Sequence, residues 1–312
     1  MLTNLSPTVQ AALAASANAL IESALHHGHS GLRCPPAGEV KAAHAVTLAG
    51  ASQCGVAWSP LLDHLRYSVS STAVFTHAAP IVGFFDTMSN SQINRELADL
   101  LVVVDQVQGA NVVDRRAQLI QAKLAEDDGS IKLDDSGTGQ RNLYLKWPKF
   151  RMPAAYEARD WDLNDSSCQG LPYDGCRFGG ISLGSSPRYW SQIPTAISMN
   201  TSQGVALGTM LARMLEGLDG REAKFQGQDP WSLLVDQLLE KSLNVAFPKS
   251  SSNMRQAKSM FLFHSRGEHV FSFRYESIPE ALFPYRDSPY YYGGEDYSDG
   301  ISVLHIVASG ND

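Results

Sequence analysis

Residues 96–123 read ELADLLVVVDQVQGANVVDRRAQLIQAK, and the fold reading begins here. Leu100 to Val104 is an unbroken apolar, β-branched-rich run with an acid, Asp99, at its mouth. Such a run, short and without helical spacing, reads as a strand buried on both faces. A polar loop with Gly109 follows, and Ala117 to Ile120 leads a second strand into Gln121 and Lys123. Side chains two apart on a strand share a face, so Gln121 and Lys123 point together while Ala122 points away. The hairpin therefore gathers a carboxylate, an amide oxygen and an ammonium at one end. Asp105 closes the apolar run and reads as the start of the turn rather than as a functional acid.

That trio has a chemical use. Carboxylate and amide oxygens are hard donors suited to Mg²⁺ or Mn²⁺, and Mg²⁺ keeps several waters of its own. A neighbouring lysine can orient or deprotonate water and steady charge growing on a phosphate.

Asp99 before LLVVV and Gln121-Ala122-Lys123, a hairpin apart, resemble the motif of the PD-(D/E)XK nucleases, the superfamily of restriction endonucleases and of many DNA-repair and phage-defence nucleases. Ala98 stands where a proline is commonest and Gln121 where an acid is commonest. Members often carry a further glutamate on a preceding helix. Glu39, in the first turn of a helix expected over 38–52, is the preferred position and Glu96 the alternative. The resemblance spans residues 39–123. It implies a restriction-endonuclease-like α/β core, a mixed sheet flanked by helices, that hydrolyses DNA phosphodiesters with Mg²⁺ or Mn²⁺ in restriction or phage defence. Asp99, Gln121 and Glu39 would hold the metal and Lys123 would act on water. A homo-oligomer or a defence-system protein partner fits the same reading. The alternative is a catalytically silent nucleic-acid-binding or assembly subunit that keeps the fold. Gln256-Ala257-Lys258 repeats the tripeptide with no apolar strand leading into it, so the order of parts, not the tripeptide, carries the resemblance.

Residues 141–151, RNLYLKWPKFR, hold Arg141, Lys146, Lys149 and Arg151 without an acid, interleaved with Tyr144, Trp147 and Phe150. Cations that neutralise phosphates beside aromatics that stack on bases suit a nucleic-acid path. The competing reading places Tyr144 and Trp147 in the core and the charges on a solvated edge. LYLKWPKF reads as a strand after the acidic, Gly-rich loop 126–139.

Composition sets the bounds. The chain has 312 residues, 44% apolar and 18% charged, enough for a sizeable core in one elaborated domain or two. The net charge of −7 argues against a protein that coats nucleic acid, while leaving a local phosphate site open. No apolar run is long enough to span a membrane. The opening segment lacks a basic n-region and reads as a helix, N-capped by Ser6 with Pro7 at its first position, which points to the cytoplasm and away from membranes. Cys34, Cys54, Cys168 and Cys176 form no CxxC pair, and His26, His27 and His29 cluster at a helix end, so neither a disulfide scaffold nor structural zinc is expected. No GxSxG, GxGxxG or Walker sequence occurs.

The chain divides into 1–152, helices and nuclease-like core; 153–194, a Gly/Pro-rich irregular insertion or connection; and 195–312, helices and strands completing or flanking the core. Further helices are expected over 58–69, 203–218 (closed by Gly217 or Gly220) and 230–243 (capped by Asp229), with strands over 73–85, 259–264, 269–275 and 301–308. The Tyr-rich stretch 284–300 reads as a surface loop.

Overall fold

The computed structural model describes residues 2, 5–28, 36–75, 80–87, 89–195, 199–243, 261–266, 269–273 and 301–310. The second QAK, residues 29–35 with His29 and Cys34, and 284–300 lie outside these.

Helix α1 (Pro7–His27) begins as its sequence dictates: Ser6 Oγ accepts from Val9 N, and Gly28, at φ 72°, ends it. Helices α2 (Glu39–Ala45) and α3 (Cys54–Leu62) are joined through a π-helical turn, Val46–Gly50, and a short 3₁₀ turn. The helix expected over 58–69 stops earlier, because Arg66 turns left-handed at φ 60° and strand β1 (Tyr67–Phe75) starts beside it. Strand β2 (Ile81–Asp86) and strand β3 (Ser91–Glu96) follow, then β4 (Leu100–Gln108) and β5 (Asn111–Leu124). Gly109, at φ 57°, makes the tight turn between the last two.

Helix α4 (Asp135–Lys146) replaces the expected strand over LYLK. Asp134 Oδ1 accepts from Gly137 N at 2.7 Å, so the acidic, Gly-rich loop supplies the cap and first turn of a helix. After it come β6 (Phe150–Arg151), β7 (Asp160–Trp161), β8 (Cys176–Ser182), β9 (Tyr189–Pro194), β10 (Val205–Ala206), α5 (Leu207–Leu215), β11 (Arg221–Glu222), α6 (Pro230–Leu243), β12 (Phe261–Arg266), β13 (His269–Phe273) and β14 (Ser302–Gly310). The stretch 153–194 is thus irregular only in its first part; β8 and β9 join the main sheet. Their glycines clear space for neighbours: a Cβ on Gly179 would collide with the Trp190 indole, and one on Gly180 with Thr201.

The main sheet runs β10-β9-β8-β5-β4-β14-β1-β12-β13, with β11 also on β5. It is mixed: β14 is parallel to β4 and β8 to β5, the other pairs antiparallel. Strand β14 thus lies in the middle of the sheet, between β4 and β1, two strands from the N-terminal part of the chain. Leu100, Val102 and Val104 face one apolar cluster under α1, α2, α3 and α5. Leu101 and Val103 face the other, shared with α4 and α6. Burial on both faces is why the run needs no polar alternation. A second, antiparallel sheet, β3-β2-β6-β7, packs Val82, Phe84, Phe150 and Trp161 into that second cluster. The chain is a mixed α/β protein whose sheet is flanked by helices. Among the described residues no helix is long and apolar enough to cross a membrane.

At the turn end of the hairpin, Asp105 is not a turn residue but part of a buried charge network. Arg115 grips both Asp105 oxygens at 2.6 and 2.7 Å and reaches Asp236 Oδ1 of α6 at 2.6 Å; His305 Nε2 of β14 lies 2.9 Å from Asp105.

Candidate functional site

The site forms at the other end of the same hairpin. Pairing Leu100 with Ile120 sets Asp99 across from Gln121, and the Asp99 N–H donates to Ile120 O at 3.0 Å. The Asp99 carboxylate accepts from Ala122 N at 2.8 Å, and its same oxygen, Oδ2, accepts from Gln121 Nε2. Lys123 Nζ lies 3.3 Å from Glu39 Oε1, in the first turn of α2. Asp99, Gln121, Lys123 and Glu39, chosen from sequence, are therefore brought together by three elements. Glu96, the alternative, is also close enough for its charge to act on Asp99, more strongly than Glu39 does.

The electrostatics are unusual for an aspartate. Burial, the Glu96 charge and the Glu39 charge push Asp99 up to about 8, against the lowering effect of Lys123 and the Ala122 N–H. Gln121 is 1% exposed, and while its Nε2 is used, its Oε1 is buried without a hydrogen-bond partner. The lone pairs of this amide oxygen are left unanswered by protein groups, and Lys123 offsets the repulsion felt by Asp99 only in part.

The raised Asp99 value has a consequence for stability. Between about 4, the ordinary aspartate value, and about 8, the folded state holds the proton more tightly than the unfolded one, so this group makes stability fall as pH rises. Asp99→Asn, measured in EDTA, should melt like wild type near the bottom of that window. Above it the variant should melt higher, by about 2–4 °C per kcal/mol of desolvation and repulsion removed. A melting difference independent of pH would refute this account of Asp99.

Helix α4 is a wall of the site that sequence reading left out. Tyr144 Oη donates to Leu97 O at 2.8 Å, and burial first, with Cys176, Asp99 and Glu96 adding, raises its phenol well above the ordinary range. Gln140, one turn earlier on the same face, is buried and its Oε1 lacks a partner. The signal was available as Gln140 and Tyr144 at i and i+4, hidden by reading this stretch as loop and strand.

The basic, aromatic run does not form one strip. Trp147 is 1% exposed: it closes α4 in a left-handed conformation and stacks on Tyr144, centroids 5.4 Å apart. A side chain so buried cannot stack on a base, so Trp147 is a core residue. Lys146, Lys149 and Arg151 are exposed, with Lys146 on Thr87 Oγ1 at 2.9 Å, Lys149 on Asp162 at 3.4 Å and Arg151 on Asp160 at 2.7 Å. Arg141 is part-buried on α4.

Among the described residues no three His, Cys, Asp or Glu side chains form a metal-holding group by themselves. Cys54 and Cys176 are buried thiols pushed up to about 12 by burial, so neither offers a ready thiolate. Comparison with protein-family models, with curated proteins and with solved structures gives no match.

Proposed function

We propose that this chain is a metal-dependent nuclease hydrolysing phosphodiester bonds of DNA, built on a restriction-endonuclease-like core and acting in the cytoplasm in restriction or phage defence. The observation that carries the reading is the convergence of Asp99, Gln121, Lys123 and Glu39, with Gln121 Oε1 buried and unpartnered.

These residues fit Mg²⁺ or Mn²⁺. Mg²⁺ needs only one or two carboxylates beside its waters, which Asp99 with Glu39 or Glu96 supplies, and Gln121 Oε1 is a hard donor with nothing else to bind. Bound, such an ion would polarise the phosphodiester and lower the pKa of water. Asp99 enters this arrangement ionised, so its proton must leave first. Lys123 presents an ammonium, 18% exposed and tethered by Glu39, that can donate to a phosphate oxygen as charge grows there and can orient the attacking water. The Ala122 N–H fixes the Asp99 carboxylate in place. The Lys123–Glu39 pair also favours the second reading, a silent DNA-binding or assembly subunit, since it already satisfies the ammonium.

Nicking of supercoiled plasmid separates the two. The nuclease reading expects cleavage with Mg²⁺ or Mn²⁺ and none in EDTA. Gln121→Glu should lower the metal concentration for half-maximal activity, because a charged oxygen replaces a neutral one. Plasmid left intact at every metal concentration would leave the silent subunit standing.

A further inference from the structure

We infer that the outer face of the four-stranded sheet is a platform for the bases of single-stranded nucleic acid, running along β2 and β3 toward Asp99. Its direction rests on the nuclease reading; its chemistry does not. One face of this sheet is buried and the other is open: Ile81 is 45% and Phe85 48% exposed, while Val82 and Phe84 between them are buried. In register, Phe85 stands opposite Gln92, Gly83 opposite Asn94 and Arg151, and Ile81 opposite Glu96. Opposite residues share a face, so these side chains form one surface.

Gly83 is the floor of that surface. The Asn94 and Gln92 amides both lean over it, 2.9 and 3.5 Å from where a Cβ would sit. Beside these two amides lies an exposed aromatic ring. A ring gives a base a stacking partner whatever its identity, and carboxamides pair with base edges, adenine above all. Cations stand at the Phe85 end and at the side: Lys146 is held on Thr87 just past β2, and the Arg151 side chain is 78% exposed. Carboxylates stand at the opposite end, where Glu96 continues through Leu97, whose N–H donates to Pro80 O, to Asp99. A strand laid from Lys146 toward Glu96 would bring a phosphate to the Asp99 cluster. Asp160 offsets Arg151, so attraction to phosphates is weak and the bases must contribute most of the binding. That favours unpaired nucleic acid over a duplex, whose bases are stacked away.

The test is fluorescence anisotropy with the full chain in EDTA, using fluorescein-labelled oligo(dA), oligo(dT) and a duplex of the two. We expect single strands to bind more tightly than the duplex, oligo(dA) at least as tightly as oligo(dT), and affinity to vary little with salt. Phe85→Ala should weaken oligo(dA) binding roughly tenfold, as loss of one stacked base does. Asn94→Leu should remove the preference for oligo(dA). Both side chains are exposed, so melting temperatures should not change. Unaltered affinity in both variants overturns the platform, and so does a wild-type dimer in sedimentation that Phe85→Ala dissociates. Asp99→Ala separates the two proposals. Phe85-dependent binding without any Asp99-dependent cleavage retains the platform and removes the nuclease; Asp99-dependent cleavage with Phe85-independent binding does the reverse.

Discussion

Asp99→Ala and Lys123→Ala are each expected to reduce metal-dependent DNA cleavage on the order of 10²-fold or more, with the fold intact. The two residues act differently. Asp99 is the carboxylate at the centre of the cluster, fixed by Gln121 and the Ala122 N–H, so on the proposed reading its loss would remove the anchor for a cation. On the same reading Lys123 holds no metal, and its loss would remove the ammonium that meets developing phosphate charge. Metal affinity should therefore fall in the first variant and survive in the second. Neither change opens a large core cavity, since both side chains are part-exposed, and Asp99→Ala even removes a carboxylate held at an unfavourable, raised pKa. Activity surviving in both variants would end the assignment. Lys258→Ala, in the repeated tripeptide, should change nothing.

Asp105→Ala is expected to be among the most destabilising single changes in the molecule, about 3–5 kcal/mol, because it leaves Arg115 buried without the carboxylate it grips through two hydrogen bonds. The expected loss of melting temperature is on the order of 10 °C. Arg115 is 4% and Asp105 2% exposed, and together with Asp236 and His305 they tie the hairpin to α6 and to β14. Burial by itself would raise the Asp105 carboxyl, but the Arg115 guanidinium and His305 hold it well below the usual carboxylate range. A lowered folded-state value means that this stabilisation is fully present above the ordinary value of about 4 and fades only as pH falls toward the folded value. The Asp105→Ala penalty should accordingly shrink in strong acid. Replacing Asp105, Arg115 and Asp236 together by apolar residues of similar size should recover much of the loss. A melt of Asp105→Ala within 2 °C of wild type would show the network to be incidental.

The hairpin was legible in sequence because its signals are local: an apolar run buried on both faces, a glycine at the turn, and two polar residues of one parity at the strand end. The same holds for α1, where Ser6 and Pro7 mark the start. Glu39 entered through the resemblance, which calls for a glutamate on a preceding helix, and its contact with Lys123 follows from where α2 packs. What escaped was non-local or carried by glycine. The insertion of β14 between β4 and β1 depends on pairing across the length of the chain, which no window of sequence displays. Gly137 and Gly139 hid the start of α4, although Asp134 was a sound N-cap, and with it went Gln140 and Tyr144. Gly179 and Gly180 suggested loop, but they lie within β8 because Trp190 and Thr201 occupy the space a side chain would need. Trp147 shows the limit of composition: a tryptophan among cations fits a nucleic-acid path, and only packing places it beneath Tyr144.

The claim at the centre of this account is that Asp99 and the orphaned Gln121 oxygen hold a divalent cation. Titration of Mn²⁺ into the protein, followed by the loss of the free-ion electron paramagnetic resonance signal, tests it without recourse to activity. The account predicts saturable binding that tightens as pH rises through about 8, where Asp99 loses its proton. It also predicts that Asp99→Ala abolishes binding, Gln121→Leu weakens it, and Lys123→Ala leaves it in place. Absence of binding in the wild type, or equal binding in wild type and Asp99→Ala, would contradict it.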